Sequence, residues 1–209
     1  MRKVTRIGLI LAAGAVAGNA MAAFVESAIG PAVIGDASAV YYNPAALTLL
    51  KGSQLLLAGA YVPVRFSFNG SVVQNATHIT ETGSATSKTI YKLPAGFLSL
   101  PLNNKFILGM GVLYPDFGKQ NFPNDSIVRH FGTYSSLSSL DLIPSLTYKF
   151  NDKYSIGAGL DFEEIHVTLN SEVGAPLAGV PDYTLTNQSK KRGVGAHAGI
   201  LLQPKRGTL

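Results

Sequence analysis

The sequence predicts an all-β protein: an antiparallel transmembrane β-barrel with a short N-terminal hatch. The first observation behind this is an alternating hairpin at residues 141–162. Leu142, Pro144, Leu146, Tyr148 and Phe150 share one face, and Asp141, Ser145, Thr147 and Lys149 share the other, with Ile143 the exception. After Asn151-Asp152, Tyr154, Ile156, Ala158, Leu160 and Phe162 face one way, and Ser155, Gly157, Gly159 and Asp161 the other. A period of two specifies strands, and runs of about 10 residues match a tilted strand crossing a bilayer. The second observation is that only 14% of residues are charged, yet no long apolar run follows residue 22. That combination suits strands with a lipid-facing side. The third is the order of the connections, which run long, short, long, short, long. The long ones therefore gather at one end, as in outer-membrane barrels.

The elements follow in order. Residues 1–22 read as a cleaved export signal. Arg2, Lys3 and Arg6 form the basic start, residues 7–17 the apolar run, and Ala20-Met21-Ala22 the small-residue cleavage site. Residues 23–52 are rich in Ala and Gly, do not alternate, and read as an irregular plug or linker. Within them, residues 36–42 open a short helical turn that Asn43-Pro44 breaks, and Pro44 starts a second one. Residues 53–209 are a partial transmembrane barrel. Its first strand, 53–68, puts Leu56, Ala58, Ala60, Val62, Val64, Phe66 and Phe68 on one face, with Pro63 predicting a bulge or bend. A polar loop is expected over 69–88, and a second strand over 89–102 with Pro94 a further irregularity. The Asn103-Asn104 turn leads to a third strand, 105–114, with Gly109 and Gly111 opposite an apolar face. A loop of about twenty residues, 115–135, precedes the opening hairpin. Glu163-Glu164 predicts a bulge in the fifth strand. A third long loop spans 170–188, and a sixth strand 193–203.

Several functions are excluded or disfavoured. The formal charge of +5, less the three basic residues of the leader, leaves +2, with no nucleic-acid footprint. The run Lys190-Lys191-Arg192 reads as a loop end able to touch anionic lipid headgroups. Without cysteine there is no disulfide, thiolate metal site or cysteine nucleophile. Asp161, Glu163, Glu164 and His166 form the densest polar cluster. They read as a strand leaving the membrane, because no second cluster completes a metal or acid–base site. His78, His130 and His197 show no convergent partners. The Gly-x-Gly pairs at 109 and 157 open no helix, so they read as small inner-face residues and not phosphate loops. No cofactor, metal or catalytic residue is expected.

Tyr42-Asn43-Pro44-Ala45-Ala46, placed after a leader and before the first strand, resembles the hatch segment of FadL-type outer-membrane transporters. Residues 36–40, 143–160 and 198–203 are also similar to that family. The resemblance covers about residue 33 to the end. It implies a monomeric fourteen-stranded barrel in the bacterial outer membrane, inserted by the outer-membrane assembly machinery. Its ligands would be long-chain fatty acids or other hydrophobic small molecules, and it would act as a transporter, not an enzyme. It also implies that Asn43, Pro44 and Ala45 are the hatch motif and that the third strand is the kinked one, with Gly109 and Gly111 permitting bending or close approach. Phe117, Phe122 and Phe131 are candidates for an apolar ligand-collecting surface in the second long loop. About six strands are expected here, fewer than a closed barrel needs, and the chain does not end on an aromatic barrel strand. The sequence is therefore read as the N-terminal part of a longer protein. The competing readings are a small structural or adhesive barrel without transport, or a non-functional fragment.

Overall fold

The computed structural model describes residues 8–11, 35–74, 78–114, 117–175 and 179–203. Within them lie strands β1 (Gly8–Leu11), β2 (Gln54–Gln74), β3 (Ile79–Pro101), β4 (Phe106–Leu113), β5 (Phe117–Asn121), β6 (Tyr134–Lys149), β7 (Tyr154–Ala175) and β8 (Val180–Leu202). Helix α1 (Ala39–Tyr42) and a 3-10 turn (Pro44–Leu49) precede β2. The sheet runs β1-β2-β3-β4-β6-β7-β8, with β5 paired to β6. All pairs are antiparallel except β1 on β2, where Gly8 to Leu11 lie beside Gln54 to Leu57. The cleavage site at Ala22 lies outside the described residues.

Both short turns use one device. Asn103 Oδ1 accepts hydrogen bonds from the backbone N–H groups of Lys105 and Phe106, and Asn151 Oδ1 does the same for Lys153 and Tyr154. An asparagine side chain that replaces a backbone acceptor lets a strand reverse within a few residues.

The far ends of the hairpins differ from the sequence expectation. Residues 69–74, 79–88, 170–175 and 180–188 are strand and not loop. β2 and β3 pair without a break from Gln54↔Ser99 to Gln74↔Ile79, and β7 pairs with β8 up to Ala175↔Val180. Ser and Thr are good strand residues when cross-strand partners meet, as Ser71 and Thr82 do at 2.7 Å. The extensions stand beyond the bilayer, so neither of their faces needs to be apolar, and the hydrophobic pattern that marks a strand is missing.

The expected bulges also fall elsewhere. Pro63 pairs with Ile90 and Pro94 with Gly59 in unbroken register. Both prolines lie where the other edge of the strand carries no described ladder, so no hydrogen bond there needs the missing N–H. At Glu163-Glu164 the pairing with both neighbours continues, and the one shift in β7–β8 lies between Val173 and Ala175. Pro144 instead interrupts β6–β7, where pairing skips from Leu142↔Phe162 to Ser145↔Gly159 without a change of register.

The core is the contact between the hatch and the sheet. Ala37, Ala39, Val40, Ala46 and Leu47 pack on Leu56, Phe97, Ile107 and Ile143. That contact fixes which face of each strand looks inward. Large apolar residues on the opposite face stay open, among them Leu142, Leu146, Ile156, Leu160 and Ile200, between 42% and 65% exposed. So much exposed apolar surface on one side marks a face that meets lipid. At its short-turn rim, Phe106, Tyr148 and Phe150 form an aromatic cluster with ring centroids 4.9 Å apart. Tyr148 and Tyr154 therefore sit where interfacial aromatics are expected, whereas Tyr91 points inward.

Candidate functional site

The hatch turn is seated by the inner faces of β6, β7 and β8. Asn43 caps it, its side chain accepting from Ala45 N at 3.2 Å, and Pro44 occupies the first turn position. The Asn43 amide also donates to Ile200 O at 3.3 Å, which ties the cap to β8. Thr147 Oγ1 donates to Pro44 O at 2.6 Å, and Ser155 Oγ to Ala45 O at 3.0 Å. Thr48 returns a bond to the same Ala45 carbonyl at 3.0 Å and meets Ser155 Oγ at 3.1 Å. The Pro44 and Ala45 carbonyls thus each take a further bond from a hydroxyl of β6 or β7, worth about 0.5–1.5 kcal/mol apiece.

Glycines make this approach close. A Cβ on Gly157 would stand 2.7 Å from Ala45 N and from Pro44 C, one on Gly109 would meet Val40 Cγ2 at 2.7 Å, and one on Gly199 would collide with Asn43 Oδ1. Gly109 sits within unbroken pairing, opposite Ser99 and Ser145, and Gly111 lies opposite Phe97 and Ile143. The change in strand path comes later. β3 pairs with β4 only as far as Gly96↔Val112. From Leu113↔Asp141 to Phe117↔Ser138 the pairing advances four positions on one side and three on β6, a register shift of one.

Beyond that point β5 is held against the inner side of β3 by side chains. Tyr91 OH accepts from Lys119 N at 2.7 Å and donates to Lys119 O at 2.8 Å, while Ser87 Oγ accepts from Asn121 N at 2.7 Å. Phe117 packs edge-on against Tyr91, with centroids 5.0 Å apart. Among the described residues, the β3 edge above Gly96 has no strand ladder to β5, so the wall is discontinuous there.

The inner wall has two characters. On β2 it is apolar: Ala58, Ala60, Val62, Val64 and Phe66 alternate inward, opposite Ala95, Leu93, Tyr91, Thr89 and Ser87 of β3. On β6–β8 it is small and polar, and His197 Nδ1 lies 2.9 Å from Asp161 Oδ1. The polar cluster seen in the sequence divides by face: Asp161 and Glu163 point in, Glu164 and His166 out. Among the described residues no group of side chains could hold a metal ion.

At the far end, Arg129 joins three chain segments. Its guanidinium pairs bidentately with Glu81 (2.7 and 2.8 Å) and through Nε with Asp182 at 2.8 Å, with its side chain 8% exposed. The hydrogen bonds that Arg129 donates to Glu81 hold the Glu81 carboxyl below the usual range and raise the Arg129 guanidinium. Phe122 lies in this segment, its N–H bonded to Thr133 O, and Phe131 is 77% exposed. No such role is expected from sequence for Thr147, Ser155, Ser87 or Arg129, and Tyr91 reads there as an interfacial aromatic, because each is an ordinary residue until the strands are in register. His197 gains Asp161 as a partner for the same reason.

An antiparallel sheet with a lipid-facing outer side, plugged on its inner side by an N-terminal hatch, is part of an outer-membrane β-barrel. The chain belongs to the outer membrane protein transport protein family (OMPP1/FadL/TodX), whose sequence profile matches residues 6–205. It is 34% identical to outer membrane protein P1 of Haemophilus influenzae over 145 residues, which is 63% of this chain and 31% of that protein. The fold resembles a Pseudomonas aeruginosa FadL homologue, with a TM-score of 0.70 and 18% identity over 84% of this chain and 46% of that one. It also resembles the Ralstonia pickettii toluene transporter TbuX, with a TM-score of 0.58 and 16% identity over 85% of this chain and 55% of that one. The chain thus spans about a third of the length of the Haemophilus relative. The sheet of the described residues is open, as a part of such a barrel is.

Proposed function

We propose that this chain supplies the hatch and the first strands of a monomeric channel that carries hydrophobic compounds across the outer membrane. Long-chain fatty acids and aromatic hydrocarbons both suit it. The supporting observation is the apolar inner face of β2, continued by Leu93, Ala95 and Phe97 on β3, since a water-filled porin is lined by polar residues. A ligand gathered near Phe122 and Phe131 would pass along that wall toward Phe117 and the hatch at Asn43, Pro44 and Ala45. The discontinuity between β3 and β5 would then give it a sideways exit into the bilayer. Capture would be driven by apolar burial, at about 0.8 kcal/mol per CH₂.

The test is binding and liposome uptake for a series of saturated fatty acids. Affinity is expected to rise about fourfold per added methylene until the wall is filled. Flat affinity across the series, with the barrel shown to be folded, would remove the reading.

A further inference from the structure

The outer face of the sheet carries a feature that transport does not use. Arg65 on β2 and Lys88 on β3 stand directly opposite each other. Both point outward, on the face of Leu57 and Tyr61, and both are exposed. Lys92 lies two rungs below, opposite Tyr61, on the same face. Among the described residues, none of these three cations has an acid or a hydrogen-bond acceptor. Like charges directly opposite on one sheet face, with Cβ atoms about 5 Å apart, destabilise the pair.

The other end of the sheet shows what resolves such a clash. Lys190 and Arg192 also point outward from neighbouring positions of β8. There Glu164 of β7 lies between them, with Oε1 2.6 Å from Lys190 Nζ and Oε2 2.6 Å from Arg192 Nε. The two clusters stand the same number of outward positions along their strands from the short-turn end. The outward positions from Leu55 to Pro63 lie below Arg65, and those from Leu202 to Val194 lie below Arg192. Each run is roughly 20 Å tall for a tilted strand, close to the height of a barrel's apolar band. One cluster contains its own carboxylate, and the other has the same cations at the headgroup level without one.

We propose that Arg65 and Lys88, joined by Lys92, form a binding site for the phosphoryl headgroup of an outer-leaflet lipid. Directly beneath the cations lie Pro63, Ile90 and Tyr61, with Ile90 52% and Tyr61 62% exposed. A phosphate above an apolar strip matches an acylated phosphate, whereas a free phosphate would engage the cations alone. Lys92 emerges lower, and its long stem can lie over that strip while its ammonium reaches up to the headgroups. The site lies wholly on β2 and β3 and needs no other part of the barrel wall.

The test is native mass spectrometry of the folded protein in detergent, titrated with a bis-phosphorylated glycolipid. Inorganic phosphate and a diacylglycerol are run as competitors. The lipid is expected to bind one-to-one and to survive an excess of either competitor. Displacement by inorganic phosphate alone would overturn the assignment to a lipid. Arg65→Gln with Lys88→Gln should weaken binding roughly thirtyfold, about fivefold for each cation lost at a membrane surface. Lys190→Gln with Arg192→Gln should change it less, because Glu164 already occupies that cluster. Lys88→Glu separates binding from folding. It places a carboxylate opposite Arg65, as Glu164 stands opposite Arg192, so lipid binding should be lost while thermal stability is kept or raised. Unchanged binding in the Arg65/Lys88 double variant would overturn the proposal.

Discussion

Gly157→Ala should unseat the hatch. The new Cβ would lie 2.7 Å from Ala45 N and Pro44 C, where ordinary contact begins near 3.4 Å. Those are backbone atoms and cannot swing aside, so the turn must retreat by the 0.7 Å difference. That movement stretches the 3.0 Å bond from Ser155 to Ala45 O to about 3.7 Å, past useful hydrogen-bond length. Overpacking costs about 1–3 kcal/mol, and the lost bond about 1 more. A docked hatch would therefore be disfavoured by about 2–4 kcal/mol, a factor of about 30 to 1,000 in the undocked population. The chain has no cysteine, so Ala46→Cys introduces a single thiol at a position that is 0% exposed. Maleimide labelling of that thiol in the folded protein measures hatch opening. The rate should rise at least about thirtyfold when Gly157→Ala is added. An unchanged rate, with the compact gel band retained, would refute the close-packed seat.

Thr147→Val keeps shape but removes the buried bond to Pro44 O, at a cost of about 0.5–1.5 kcal/mol. The loss should appear as a lower denaturation midpoint, and it should combine non-additively with Ser155→Ala, since the two hydroxyls hold adjacent carbonyls. Arg129→Met strands Glu81 and Asp182, a local loss on the order of 3 kcal/mol. Hydrogen exchange across residues 122–133 should then speed up while the lower parts of β6 and β7 stay protected. Glu81 has its carboxyl lowered from 4.5 by Arg129, so its contribution is present above about that pH and lost as pH falls through the folded value. Exchange protection of the 122–133 segment should accordingly hold from neutral pH to about 4.5 and then decline. Arg129→Met should remove Glu81's share of that decline.

The membrane-spanning portions were legible because bilayer and backbone together impose a pattern. Leu142 to Phe150 and Tyr154 to Phe162 had to alternate, and Asn103 and Asn151 had to turn. The extensions of β2–β3 and β7–β8 were not legible, since outside the bilayer neither face is required to be apolar. The bulge expected at Glu163-Glu164 failed for the same reason. A shift in hydrophobic alternation reports register only while one face is buried, and Glu163 already stands at the rim. In the hatch, Asn43-Pro44 announced itself through local chemistry, as a cap followed by a proline. Its seat did not, because Thr147, Ser155, Gly157 and Gly199 lie more than a hundred residues away and are unremarkable in their own runs.

By itself, the sequence determined that this chain crosses a membrane with strands, where those strands lie in the bilayer, and that a short helical segment precedes them. Period, length and turn chemistry are local properties, and a local reading recovers them. Which face of β2 looks inward was decided only by the tertiary structure, because both of its faces carry apolar residues and only the packing of Val40 and Leu47 near Leu56 distinguishes them. The apolar inner wall, the Arg129 clamp and the facing pair Arg65–Lys88 follow from that choice and from register. Register is a relation between distant segments, fixed when backbone groups pair and the hatch closes on the wall.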